Sequence, residues 1–248
     1  MVSKYRKNCR VLTSMCGRDG KMTIPQIFSA FMDIATEHAE ILGIGYTELT
    51  PRHLFWITSK SRVHLFRAPR LLEEIVIETW PETPGALRCN RDYRILSGED
   101  VLAEGKTEWT VFDLAASRVV PTAEFYPEGF ETIEETVLPE GFDRIRDTFT
   151  DTEPFASYRV RSVDIDLGGH MNNVAYISAM AGCFSAEEWS RLQIRDVEVI
   201  YRAQTFENET LYFYRSEQEG MIDIKAAKED GTAAALFRLT GAAREALE

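Results

Sequence analysis

Positive charge is in short supply in this chain. Against 40 aspartates and glutamates stand 28 lysines and arginines, a formal net charge of −12. Binding a phosphate backbone requires clustered cations that displace counterions, so nucleic acid is excluded as an expected partner. Long apolar runs are missing as well. No stretch approaches the roughly 20 residues that cross a bilayer, and no membrane association is expected. The basic start Met1-Val2-Ser3-Lys4-Tyr5-Arg6-Lys7 leads into no apolar core, so a secretory signal is not expected either. Cysteines number only four, Cys9, Cys16, Cys89 and Cys183, widely spaced and without a C-x-x-C pair. That spacing excludes the usual structural zinc site and reads as free thiols in a reducing cytoplasm. Neither metal nor cofactor is expected.

What remains is an ordinary globular composition over 248 residues, long enough for two modest domains. The stretch with most chemistry in it runs from Arg161 to Tyr176. Residues 155–163 alternate as a strand does, and from Val174 onward apolar residues recur at helical steps, predicting a helix over 172–184. Between them Gly168 and Gly169 supply a flexible corner that carries Asp166 and His170, with Asn172 or Asn173 placed to cap the helix. The first N–H groups of a helix lack internal partners and carry partial positive charge. A carboxylate, an imidazole and free donors converge there, an arrangement suited to attack on a carbonyl.

Element order repeats along the chain. A short strand at 4–11 precedes a long helix, with Thr23 as N-cap, Pro25 in the first turn and Gly43 just past the end. A four-stranded meander is predicted at 54–66, 73–80, 86–96 and 101–113. The segment 123–154 is acidic and broken by proline, with ten acidic residues against Arg144 and Arg146 up to residue 153; it reads as a solvated linker. Then come the strand and helix already described and strands at 195–203, 210–216, 221–228 and 233–240, with Asp230-Gly231 as a hairpin turn. The economical architecture is α+β, a helix lying across a curled antiparallel sheet, twice over.

At this point the residues resemble a known family. Asp166-x-x-Gly169-His170-Met171-Asn172-Asn173-x-x-Tyr176 is similar to the corner of hot-dog-fold thioesterases. The doubled layout resembles the acyl-acyl-carrier-protein thioesterases of plants and bacteria. Further matches are Phe55-Trp56-Ile57, Ile77-Glu78-Thr79-Trp80, Arg91-Asp92-Tyr93-Arg94, Glu104-Gly105-Lys106-Thr107-Glu108-Trp109 and Tyr201-Arg202. The resemblance implies a tandem (double) hot-dog fold, with an acyl-tail domain at 1–122, the linker at 123–154 and a catalytic domain at 155–248. It implies hydrolysis of fatty acyl thioesters on the phosphopantetheine arm of acyl carrier protein, with a homodimer open as the assembly. Two departures stand out. Gly168 occupies the position where the plant loop carries asparagine, and Gln204-Thr205 replaces a glutamate commonly followed by cysteine.

The residues then divide into roles. Asp166 serves as general base on a water or as direct nucleophile, and both remain open. His170 orients Asp166 or the water, or protonates the leaving thiolate. Backbone donors from Gly169 through Met171 to Asn172, with Gly168 and Asn173 beside them, are expected to polarise the carbonyl. Gln204 can hold a water but not take its proton, and Glu198 is a distant substitute acid. Phe28, Phe31, Met32, Ala35, Trp56 and Trp80 are candidate tail lining. Basic residues Lys60, Arg62, Arg67 and Arg70, or Arg159, Arg161 and Arg202, could meet an acidic carrier. The first-half loop Cys16-Gly17-Arg18-Asp19-Gly20 has no acid–imidazole pair, so one active centre per chain is expected. The rival readings are an acyl-coenzyme A thioesterase and a non-catalytic acyl-binding protein on the same fold.

Overall fold

A computed structural model describes residues 3–127, 129, 132–149, 153–218 and 220–241. It divides into two compact units, Met1–Gly141 and Phe142–Glu248.

The first unit contains β1 (Tyr5–Arg10), α1 (Ile24–Ile41), α2 (Tyr46–Leu49), β2 (Leu54–Leu65), β3 (Glu74–Pro81), β4 (Cys89–Ser97), β5 (Asp100–Asp113) and β6 (Arg118–Val120). Pro25 sits in the first turn of α1, where its missing N–H costs nothing, and Gly43 takes φ 72° just past the C-cap Leu42. One stripe of α1, from Ile24 through Ile27, Phe28, Phe31, Ile34 and Ala35 to His38, is buried. The sheet order is β1-β3-β4-β5-β2, with β6 pairing the far end of β5. The meander is therefore three-stranded, because β2 pairs with β5 rather than with β3.

Strand alternation sorts the sheet into two faces. On the face toward α1, Tyr93 stacks on Phe31 at 4.7 Å, and Arg91 reaches His38 Nδ1 at 3.0 Å. On the opposite face lie Trp80, Asp92, Arg94 and Lys106, covered by residues 132–141. There Trp80 Nε1–H donates to the Glu135 carbonyl at 2.7 Å and packs with Val137 and Leu138. Glu135 pairs with Lys4 and Arg94, and Glu140 with Arg62.

The second unit holds β7 (Ala156–Arg159), α3 (Asn173–Ala181), α4 (Ala186–Leu192), β8 (Ile194–Tyr201), β9 (Thr210–Gln218), β10 (Met221–Ala227) and β11 (Ala233–Gly241). Its order, β7-β9-β10-β11-β8, repeats that of the first unit strand for strand. Helix α3 stops at Ala181 rather than at residue 184. Ser185 and Glu188 then form a reciprocal capping box that starts α4.

The acidic segment is built into both units rather than solvated along its length. Ile145 is buried with Ala233 and Leu236, Asp143 pairs with Arg238, and Asp147 with Lys225. Four of its acids, Glu135, Glu140, Asp143 and Asp147, face cations distant in sequence.

Candidate active site

The alternation predicted for 155–163 ends at Arg159 because Asp164 reorganises the chain. Its carboxylate accepts Tyr158 Oη at 2.8 and 3.0 Å and the Arg161 N–H at 2.8 Å. Residues Ser162–Asp164 consequently wind into a 3-10 turn, which leaves Val163 pointing outward, 87% exposed. From Asp164 the chain makes a narrow loop closed by the bridge Ile165↔Met171, with the Asp166 N–H on the His170 carbonyl at 3.0 Å and the Gly169 N–H on the Asp166 carbonyl at 3.0 Å. Gly169 is needed at the tip for its backbone, at φ 76°. Asn172 caps α3, its Oδ1 accepting the Val174 N–H at 2.8 Å.

Asp166 and His170 meet across this loop. Asp166 Oδ1 accepts the Gly168 N–H at 2.7 Å and lies 3.9 Å from His170 Nδ1, and both side chains are about three-tenths exposed, at 29% and 27%. Gly168 is required for space. A Cβ there would stand 2.8 Å from His170 Nε2 and 3.0 Å from Asp166 Oδ1. The missing family asparagine thus coincides with a carboxylate and an imidazole closing over residue 168.

The donors differ from the expected set. The N–H groups of Gly169, Met171 and Asn172 already serve Asp166, Thr205 and Asp164 carbonyls. Of the donors expected between Gly168 and Asn173, the backbone N–H groups of His170 and Asn173 are left without a partner among the described residues, as is that of Leu167 just before them. Which of these donors are spent depends on the bridge Ile165↔Met171 and on the Thr205 carbonyl, neither of which has a local sequence signal.

Gln204 is exposed, and only its carbonyl is engaged, by Lys228 Nζ at 3.3 Å. No contact joins it to Asp166 or His170 among the described residues. Its neighbour Thr205 is fully buried and accepts from or donates to Tyr176 Oη at 2.8 Å. Glu198 is buried and accepts the Asp143 N–H at 3.1 Å, which ties it to the segment before β7. Burial holds the thiols of Cys89 and Cys183 protonated, pushing them up to about 11 and about 12.

In the first unit, Phe31 fills the space over Gly105, and Trp56 donates Nε1–H to the Ile44 carbonyl at 2.8 Å while packing edge-on against Phe125. Trp80 faces away from α1, so it cannot line a space between helix and sheet. Of the cations, Lys60, Arg62 and Arg67 are paired with Glu108, Glu140 and Glu73. Arg161 and Arg202 are exposed and lack an ion pair among the described residues. No three histidines, cysteines or acids among the described residues are grouped to hold a metal, and no described helix is long and apolar enough to cross a membrane.

The two units carry the same corner. Residues of the second lie 149 positions after their counterparts, Ile165 after Cys16 and Met171 after Met22, and both pairs form the same bridge. Gly17 N–H bonds the Lys21 carbonyl and Gly20 N–H the Gly17 carbonyl, matching Asp166 to His170 and Gly169 to Asp166. Gly17 and Lys21 therefore stand where the second corner has Asp166 and His170.

Residues 2–128 match a family model described as the acyl-ACP thioesterase N-terminal domain, and residues 149–236 match its C-terminal domain. The chain is 21% identical over 218 residues to oleoyl-acyl carrier protein thioesterase 1, chloroplastic, of Arabidopsis thaliana, a match covering 81% of this chain. It spans only 60% of that protein's length. Among solved structures it is similar to an acyl-ACP thioesterase from Bacteroides thetaiotaomicron (TM-score 0.86, 20% identity, 96% of this chain and 97% of that one). It is also similar to the 12:0-ACP thioesterase of Umbellularia californica (TM-score 0.83, 15% identity, 98% and 99%).

Proposed function

The chain belongs to the acyl-ACP thioesterase family, and on that premise we propose that it hydrolyses the thioester joining a fatty acyl chain to the phosphopantetheine arm of acyl carrier protein. Its fold is the tandem hot-dog. The observation that carries the activity is the pair Asp166 Oδ1 and His170 Nδ1, 3.9 Å apart and partly exposed at the mouth of α3.

The chemistry follows from what each group has free. The thioester carbonyl takes the N–H donors of Asn173 and His170, where the helix start favours negative charge. Asp166 accepts the proton of an attacking water, or attacks directly through the carboxylate oxygen not held by Gly168. The tetrahedral oxyanion collapses, the C–S bond breaks, and the sulfur leaves as a thiolate. With water as nucleophile the acid forms at once and the protonated Asp166 or His170 neutralises the thiolate, whereas direct attack leaves an acyl–Asp166 anhydride that a water must then hydrolyse, regenerating the carboxylate. The products are a free fatty acid and the carrier thiol. Arg161 and Arg202 offer the acidic carrier local positive charge, so its affinity falls as salt rises.

The test is hydrolysis of a panel of acyl-carrier-protein thioesters, with released thiol as readout and matched coenzyme A thioesters beside them. Asp166→Ala should lower turnover by about a thousandfold or more, the loss typical of removing an acting base or nucleophile, with the fold retained by circular dichroism. Turnover equal to wild type removes Asp166 from the reaction. Acyl binding without thiol release removes the hydrolase reading altogether. Single turnover in water labelled with ¹⁸O that leaves label in the Asp166 carboxylate identifies direct attack, with water entering the anhydride at the aspartyl carbonyl.

A further inference from the structure

The second corner is fastened to a distant segment that carries a hydroxyl pair with no counterpart in the first. Met171 N–H donates to the Thr205 carbonyl at 2.8 Å, which ties the loop between His170 and Asn172 to the segment leaving β8. That segment is itself held from α3. Tyr176 Oη lies 2.8 Å from Thr205 Oγ1 and 3.2 Å from the Ala203 carbonyl. Tyr201 Oη donates to the Asn173 carbonyl at 3.2 Å, and the two tyrosine rings meet at 5.9 Å. Thr205 is fully buried and Tyr176 nearly so, at 0% and 3% exposed. A buried hydroxyl is costly unless bonded, and here each is satisfied by the other.

The first unit serves as an internal control. There Met22 N–H donates to the Pro69 carbonyl at 2.8 Å, the counterpart of the Met171 bond. The residue 149 positions before Tyr176 is Ile27, fully buried and without a hydroxyl. The same backbone corner thus forms without any hydroxyl pair. What the pair adds is found only where the loop carries Asp166 and His170.

We infer that the Tyr176–Thr205 hydroxyl pair is a positioning device for the reaction: it locks residues 203–205 against α3 and so fixes the Met171 backbone from which His170 and the donors of α3 are hung. This rests on the hydrolase reading above. Thr205 itself never meets substrate, since its hydroxyl is buried and engaged.

The experiment compares Tyr176→Phe, Thr205→Val, Thr205→Ser and the double variant Tyr176→Phe/Thr205→Val. Thr205→Val keeps shape and loses the hydroxyl, and Thr205→Ser keeps the hydroxyl. Because a misplacement of about 1 Å costs up to about a hundredfold, both hydroxyl deletions should lower kcat by about tenfold or more with KM little changed, while Thr205→Ser stays near wild type. The double variant should be no slower than the worse single one, as expected of two groups acting as a unit. Met171 amide exchange, followed by NMR, should accelerate in Tyr176→Phe and Thr205→Val. Wild-type kcat in Tyr176→Phe, additive losses, or unchanged Met171 exchange would each overturn the inference. If wild type hydrolyses nothing, the functional reading falls, and the exchange measurement still decides whether the lock exists. Should Thr205→Val fail to fold, Tyr176→Phe, which removes a single oxygen, carries both readouts.

Discussion

Raising the pH from 5 to 8 should destabilise the first unit, and Asp92 is the reason. This residue of β4 is fully buried, and among the described residues neither carboxylate oxygen makes a well-formed hydrogen bond, although the Glu82 carboxylate and the Val137 backbone lie near enough to affect it. Lys106 Nζ stands 3.6 Å away but is closer to Glu82, at 2.6 Å, and to Thr136, at 2.7 Å. Burial pushes the Asp92 carboxyl from its ordinary 3.8 up to about 8; the Lys106 charge opposes this and the Glu82 charge adds to it. The native state therefore holds a proton over a range of pH in which the unfolded chain has already released it. Stability falls as pH climbs from near 3.8 toward about 8 and levels off above. At about 1.4 kcal/mol per pH unit, flattening as the folded value is approached, the loss between pH 5 and 8 comes to about 3–4 kcal/mol. With a urea slope of about 2 kcal/mol/M, that moves the unfolding midpoint by about 2 M. Asp92→Asn removes the titration while keeping the shape, and Lys106 keeps Glu82 and Thr136. Urea titrations followed by circular dichroism at pH 5, 6, 7 and 8 should show a falling midpoint for wild type and a nearly level one for Asp92→Asn. The carboxylates held low, such as Glu73 at about 2, release their protons well below this window and do not confuse it. Parallel pH dependence in the two proteins would refute the reasoning.

Two further substitutions test close approaches. Gly168→Ala places a Cβ 2.8 Å from His170 Nε2, so the imidazole must retreat by about 0.6 Å to reach ordinary contact; kcat should fall by about tenfold or more while stability changes by less than about 1 kcal/mol, and an unimpaired variant would show that the imidazole's place is immaterial. Gly105→Ala drives a Cβ to 2.3 Å from the Phe31 ring, in a fully buried stack with Tyr93; thermal unfolding should report a loss of about 1–3 kcal/mol, partly restored by Phe31→Leu.

Much of the fold is legible because its signals are local. The start and stop of α1 are written in Thr23, Pro25 and Gly43, and the alternation of β3, β4 and β5 in apolar residues two apart. Pairing is not local. Whether β2 joins β3 or β5 depends on which edge its whole length fits, and nothing within 54–65 says so. The same limit hides the fate of the acidic segment, since Glu135 and Glu140 look solvated until Lys4, Arg94 and Arg62 are brought to them. At the site, Asp166, His170 and the cap Asn172 are visible from residue type and spacing. The open donors are not, because they are defined by which neighbours have already been spent on Thr205 and Asp164. Thr205 could have been noticed as the residue replacing the family's cysteine, but its partner Tyr176 lies 29 positions away.

The paired corners explain how so little sequence can hold so much structure. Each loop needs one glycine that accepts positive φ, Gly20 at 71° and Gly169 at 76°. Each also needs a buried methionine, Met22 or Met171, whose N–H reaches a carbonyl from a distant segment. The rest of the frame common to both loops is backbone to backbone, Gly17 to Lys21 and Gly20 to Gly17 in the first and Asp166 to His170 and Gly169 to Asp166 in the second, and does not by itself dictate the side chains at those positions. The side chains at the positions of Asp166 and His170 are accordingly free to differ, and they do, as Gly17 and Lys21. A backbone frame of this kind can persist at an identity near 20%, since it forms in the first corner without the reactive pair. Activity in such a chain cannot be inferred from the corner's shape, since both corners have it. It has to be read from the two side chains that only one of them carries.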